Sequence, residues 1–144
     1  MAGVTRPDLW EQAWNVTTQA APAVARRLVH GDYQHFNLLW QAGALTGVVD
    51  WGSAAIGYPD TDVGHCRLNL AVLFSADWAE RFRLAYESEA GRRVEPWWDL
   101  ADLLQYSPDW QTFIPVQVAG RIPVDTHGMT ARVEELIRLS LERL

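Results

Sequence analysis

The stretch Leu28-Val29-His30-Gly31-Asp32-Tyr33-Gln34-His35-Phe36-Asn37 decides how this sequence reads. It opens apolar, breaks at a glycine, and sets an aspartate and an asparagine five positions apart. Thirteen positions after Asn37, a second carboxylate closes the run Val48-Val49-Asp50 and is followed by Trp51-Gly52. Short apolar runs bounded by turn residues read as strands at Leu28 to His30, Asn37 to Gln41 and Gly47 to Trp51. Ala42-Gly43 then turns the last two into a hairpin. That turn sets Gln41 opposite Ala44 and hence Asn37 opposite Val48. Asp50 falls diagonal to Asn37 on the same face, ~7–8 Å away, a gap that two side chains and one cation can bridge.

The spacing of Asp32 and Asn37 is that of the kinase pattern H-R-D-x-x-x-x-N, with Gly31 in place of the arginine. Val48-Val49-Asp50-Trp51-Gly52 follows it in the manner of D-F-G. Phosphoryl transfer explains both, because one carboxylate must accept or orient the acceptor's hydroxyl proton while an amide oxygen and a second carboxylate reach the magnesium on the phosphates. Asp32 is the expected base, and Asn37 and Asp50 the expected metal ligands.

With Gly57, Pro59 and Asp62 added, the segment from Leu28 to about Leu70 resembles the aminoglycoside phosphotransferase family. The resemblance implies an α+β, mostly helical, protein-kinase-like C-terminal lobe with a small β-hairpin at the catalytic loop. It implies transfer of the γ-phosphate of ATP or GTP to a hydroxyl of an aminoglycoside-like or other small molecule, with Mg2+ as cofactor. It gives Asp32 the catalytic role and Asn37 and Asp50 the nucleotide and metal contacts. His30 would brace the loop, and Asp62 would support it.

A second reading takes His30, Asp32 and His35 as an H-x-D-x-x-H cluster for a zinc hydrolase, since imidazole and carboxylate together suit that metal. Other residues read more plainly. Asp60 reads as a helix cap, Cys66 as inert core, and Trp97, Trp98, Tyr106 and Trp110 as packing aromatics. Asp99, Asp102, Asp109, Glu134 and Glu135 read as solvated helix faces.

The 144 residues fit one domain, 1–144. Hydrophobic residues make up 49% and charged residues 21%, with eight tryptophans, which excludes a disordered chain. The formal charge of −6 and scattered arginines argue against a nucleic-acid partner. No apolar run approaches the ~20 residues of a membrane span. With one cysteine and no signal-peptide pattern, the expected compartment is the cytoplasm. Helices are expected over Pro7 to about Ala20, Thr61 to Phe74, Ser75 to Ala90, Pro96 to Tyr106 and Thr126 to Leu144. Pro108 to Pro123 is expected to be an irregular connection.

All twelve basic residues are arginine. A kinase grips ATP with a β-rich amino-terminal lobe whose lysine contacts the phosphates, and only 29 residues precede His30. The expectation is a catalytic lobe without the nucleotide-gripping one, incomplete or inactive alone: a truncated or degenerate phosphotransferase, or half of a split enzyme completed by another polypeptide. The alternative is a non-catalytic binding module whose uncovered apolar surface favours a homo-oligomer.

Overall fold

The computed structural model describes residues 4–107, 109–121 and 123–144. Six α-helices and four short strands are present among them. The architecture is α+β, with helices dominating. The strands form two separate two-stranded antiparallel sheets.

Helix α1, Pro7–Thr17, starts on a proline that fits the first turn and buries Leu9, Trp10 and Ala13 on one side. Strand β1, Arg27–Val29, pairs with β4, Ala55–Gly57, a short strand the sequence reading did not anticipate. Leu28 lies opposite Ile56 and Val29 opposite Ala55, so the chain between them leaves and returns at one ladder. Inside that span sits the hairpin of β2, Leu38–Gln41, and β3, Ala44–Val48. Its turn residues Ala42 and Gly43 both have positive φ, 49° and 80°, which suits the twist of a two-residue hairpin.

The hairpin register differs from expectation. Gln41 does face Ala44, but an irregularity between Leu39 and Trp40 absorbs one residue, so Leu38 rather than Asn37 faces Val48. Asn37 ends a 3-10 turn, and β3 stops at Val48 rather than Trp51.

Helix α2, Pro59–Leu73, is the central element. It is buried on most sides and packs against α3, Ala76–Ala90, α4, Pro96–Leu103, and α6, Met129–Leu141. Leu68, Ala71 and Val72 of α2 meet Leu100 and Leu103 of α4 and Met129, Val133, Leu136 and Ile137 of α6 in one core. Ser75 caps α3 by accepting the Trp78 N–H at 3.2 Å, and Gly91 ends it at φ 64°. Trp98 and Tyr106 are buried, and Tyr106 stacks on Trp10.

Helix α5, Trp110–Gln117, occupies the stretch expected to be irregular. It forms despite Pro115 inside it, with buried Ile114 and Val118 docking it on the core. Pro108 and Ile122 of that expected connection lie outside the described residues.

Three acids expected on solvated faces are buried. Asp99 faces Arg67 and Arg143, Asp102 lies beside α2, and Glu134 accepts N–H groups from Thr5, Arg6 and Trp10. Helical periodicity ranked them by polarity, whereas their partners come from distant elements. Asp60 also differs from expectation: its carboxylate is held by Arg92 and the Glu95 N–H instead of capping α2. Among the described residues, no helix is long and apolar enough to cross a membrane.

Candidate active site

The loop after β1 is fixed from below by helix α2. Asp62, in the first turn of α2, accepts the His30 N–H at 2.6 Å and the Gly31 N–H at 2.9 Å. Two adjacent backbone donors on one carboxylate clamp the start of the loop.

His30 is buried and ties the loop to the hairpin. Its Nε2 lies 2.8 Å from the Val49 carbonyl, and a carbonyl only accepts, so Nε2 carries the proton. The Nδ1 lone pair then accepts the Asp32 N–H at 3.3 Å. Trp51 packs beside the ring, 4.7 Å between centroids.

Gly31 has φ 80°, and a Cβ there would collide with the Ser53 carbonyl. A side chain at this position is therefore excluded twice, by backbone conformation and by space. This explains why the arginine of the kinase pattern is replaced in this chain.

Asp32 presents a half-buried carboxylate held by three side chains. Oδ1 accepts from Gln34 Nε2 at 2.8 Å and from His65 Nε2 at 3.0 Å. Oδ2 accepts from Asn37 Nδ2 at 3.1 Å, and the same amide nitrogen donates to the Asp32 backbone carbonyl at 2.8 Å. Asn37 is buried, and with its nitrogen turned to Asp32 its Oδ1 has no protein partner among the described residues.

Asp50 follows the residue whose N–H donates to the Asn37 carbonyl, Val49, at 2.9 Å. That bond sets Asp50 next to Asn37 by a route other than the diagonal pairing expected from the hairpin. Asp50 has φ 65°, so strand alternation has ended before it, and its exposed carboxylate has no donor among the described residues. Positive φ is tolerated by aspartate better than by most residues, and this conformation turns the chain into the 3-10 segment Trp51–Ser53.

Asp32 and Asn37 thus touch, His30 and Asp62 hold the loop that carries Asp32, and Asp50 adjoins Asn37 through Val49. The amide oxygen of Asn37 and the carboxylate of Asp50 are each the donor type that a hard cation takes. Among the described residues, no group of three or more His, Cys, Asp or Glu side chains is placed to hold a metal.

The zinc-type cluster does not form. Both ring nitrogens of His30 are engaged, while His35 packs on Phe36 and Phe74 with centroids 4.2 and 5.4 Å away. Burial lowers the His35 pKa, so the ring is neutral, and neither of its nitrogens has a partner among the described residues. Burial pushes the Cys66 thiol up to about 12, which leaves it an inert thiol in the core.

His65 and Gln34 were missed by sequence reasoning. His65 lies one helical turn after Asp62, so placing Asp62 under the loop already turns His65 toward it.

The model of the phosphotransferase enzyme family matches residues 2–97. Since that match spans more than half of the sequence, the chain belongs to the phosphotransferase enzyme family. No curated protein and no solved structure matches it.

Proposed function

We propose that this chain carries the acid/base and metal-binding half of a small-molecule kinase, which moves the γ-phosphoryl group of ATP or GTP to a substrate hydroxyl. The family membership and the pairing of Asp32 with Asn37 support this reading. In it, Asp32 accepts the proton of the attacking hydroxyl, as a carboxylate within hydrogen-bond reach can do. Asn37 steadies Asp32 through its amide nitrogen and offers Oδ1, with the Asp50 carboxylate, to Mg2+. The cation, when bound, neutralises charge on the phosphates. A protein-kinase-like arrangement of the loop and hairpin belongs to the same proposal.

The acceptor is a small hydroxyl compound. A cavity of about 570 Å3 opens beside the loop, with Leu28, Tyr33, Asp62, Phe82, Tyr86 and Glu89 among its walls. Its aromatic walls suit an acceptor with an apolar body.

The chain contains no lysine. In this proposal, the cation that grips the nucleotide's phosphates therefore comes from outside these residues, and turnover depends on it. ATP turnover by the isolated 144 residues in a coupled assay would contradict that dependence.

The observation that carries the proposal is the Asp32–Asn37 pair with Asp50 adjoining it. Calorimetric titration of Mg·ATP tests it. Magnesium-dependent binding that Asp50→Asn weakens at least ~10-fold is the expected result. Equal indifference of both proteins to magnesium and nucleotide would remove the kinase reading.

One observation favours a second reading, a non-catalytic interaction module. Leu28 and Ile56 are exposed side by side on the β1–β4 ladder, and Leu39, Trp40, Leu45 and Trp51 are exposed around the hairpin. So much apolar surface near one loop suits contact with another polypeptide. Concentration-dependent self-association without nucleotide binding would support it.

A further inference from the structure

We propose that His65 is a positioning residue for the base, fixing the Asp32 carboxylate from helix α2. The inference rests on the reading of Asp32 as the base, and it concerns a side chain which that reading leaves without a role.

His65 Nε2 lies 3.0 Å from Asp32 Oδ1, and the two residues are 33 positions apart in sequence. The contact therefore ties the loop side chain to a different element. An ionised carboxylate is acceptor-only, so the proton between them sits on His65 Nε2. Asn69, one turn further along α2, donates from Nδ2 to the His65 carbonyl at 3.0 Å, and with the Nε2 proton given to Asp32 its 3.3 Å approach to that same Nε2 is a packing contact and not a hydrogen bond. Asn69 is itself buried, which gives the imidazole a fixed neighbour.

The donors divide the carboxylate. Gln34 and His65 meet at Oδ1, whereas only Asn37 reaches Oδ2. Oδ2 keeps accepting capacity and is the oxygen left for a substrate hydroxyl. Asp62 and His65 share a face of α2, one holding the loop backbone and the other its reactive side chain. Gln34 and Asn37 belong to the loop and move with it. His65 alone among the three side-chain donors references Asp32 to the helical core.

A positional error of about 1 Å in a catalytic group costs on the order of 100-fold in rate. Loss of the His65 donor should therefore act on turnover and leave substrate binding intact. Glutamine places an amide nitrogen near the imidazole Nε2, so His65→Gln restores the donor and His65→Leu removes it.

The test uses both variants, with thermal melts to establish that each folds. By NMR, the His65 Nε2–H tautomer should dominate in the unmodified chain and lose its dominance in Asp32→Ala. Scalar couplings should give one Asp32 χ1 rotamer in the unmodified chain and in His65→Gln, and an averaged one in His65→Leu. A dominant Nδ1–H tautomer, or an Asp32 rotamer indifferent to His65→Leu, would overturn the proposal.

Phosphate release from Mg·ATP, measured once a complementing polypeptide supplies the cation that grips the phosphates, provides the kinetic arm. A fall in kcat of ~10- to 100-fold for His65→Leu, with KM unchanged and with His65→Gln close to the parent, is expected. An equal fall for both variants, or a change confined to KM, would also overturn it. Phosphate release by the isolated chain would contradict the dependence on an outside cation, while the tautomer and rotamer measurements decide the role of His65 in either case.

Discussion

The Asp62 Oδ1 atom accepts the Gly31 N–H at 2.9 Å, so a helix that follows the hairpin holds the loop that precedes it. With the His30 N–H on the other oxygen, the contact fixes two consecutive peptide groups before Asp32.

Removing that carboxylate should loosen the loop without unfolding the core. Hydrogen bonds to charged groups are worth ~1.5–3 kcal/mol, so Asp62→Ala should destabilise by about that much. Hydrogen exchange should accelerate at His30, Gly31 and Asp32. Undiminished protection of those amides in Asp62→Ala would show that the clamp is not what holds them.

Restoring the kinase-like arginine should damage this chain. Gly31→Arg forces a side chain into a φ of 80° and against Ser53. The left-handed conformation alone costs ~1–2 kcal/mol. Urea denaturation should give a loss at least that large for Gly31→Arg and also for Gly31→Ala. A variant as stable as the parent would mean the loop adopts another conformation.

Glu134 anchors the beginning of the chain to α6. Burial raises its carboxyl pKa, but the Thr5 hydroxyl, the Arg6 and Thr5 N–H groups and the Trp10 indole outweigh this and hold it below the usual range. Glu134→Ala leaves those donors without a charged acceptor and should cost ~2–3 kcal/mol. The expected signature is early loss of the Trp10 fluorescence environment on heating. Coincident melting of Trp10 and the core in both proteins would argue against a separate anchor.

Asp102 should make stability fall as pH rises. Burial first, then the charges of Asp99 and Asp62, push its carboxyl up to about 7, partly offset by the Gln105 amide. In the unfolded chain the group titrates near its usual ~3.9, so between those values the folded state binds more protons. Its stabilising contribution is present below about pH 4 and is lost as pH rises toward 7. Asp102→Asn should flatten that part of a stability-against-pH curve measured by denaturant melts. An unchanged slope in the variant would assign the pH dependence to other groups.

Much of the fold was legible because local signals agreed. Pro7, Pro59 and Pro96 each mark a helix start, Ser75 caps α3 and Gly91 ends it, and Ala42-Gly43 turns the hairpin. The strand β4 escaped because Ala55-Ile56-Gly57 has no periodicity of its own and is defined only by pairing with β1. Helix α5 escaped because Pro108 and Pro123 marked the stretch as a connection, while the contacts that hold it come from core residues outside that stretch. The bulge between Leu39 and Trp40 is equally silent in sequence, and it alone displaced Asn37 from its expected partner.

For the site, the spacing singled out Asp32 and Asn37, and the structure adds a direct contact between their side chains that the spacing alone did not specify. The surroundings were harder to see. Buried Asp99, Glu134 and Asp60 each find partners more than thirty residues away, and local polarity carries no trace of such pairings.

The β1–β4 ladder gives the segment from His30 to Ala54 the character of a cassette. Both of its ends are stapled at one place, where Val29 meets Ala55, its loop is tied to α2 through Asp62 and His65, and the far tip at Gly43 has open space around it. Lengthening that tip by a few residues should therefore be tolerated, and the hairpin is the natural place to attach a probe that reports on the loop without disturbing it.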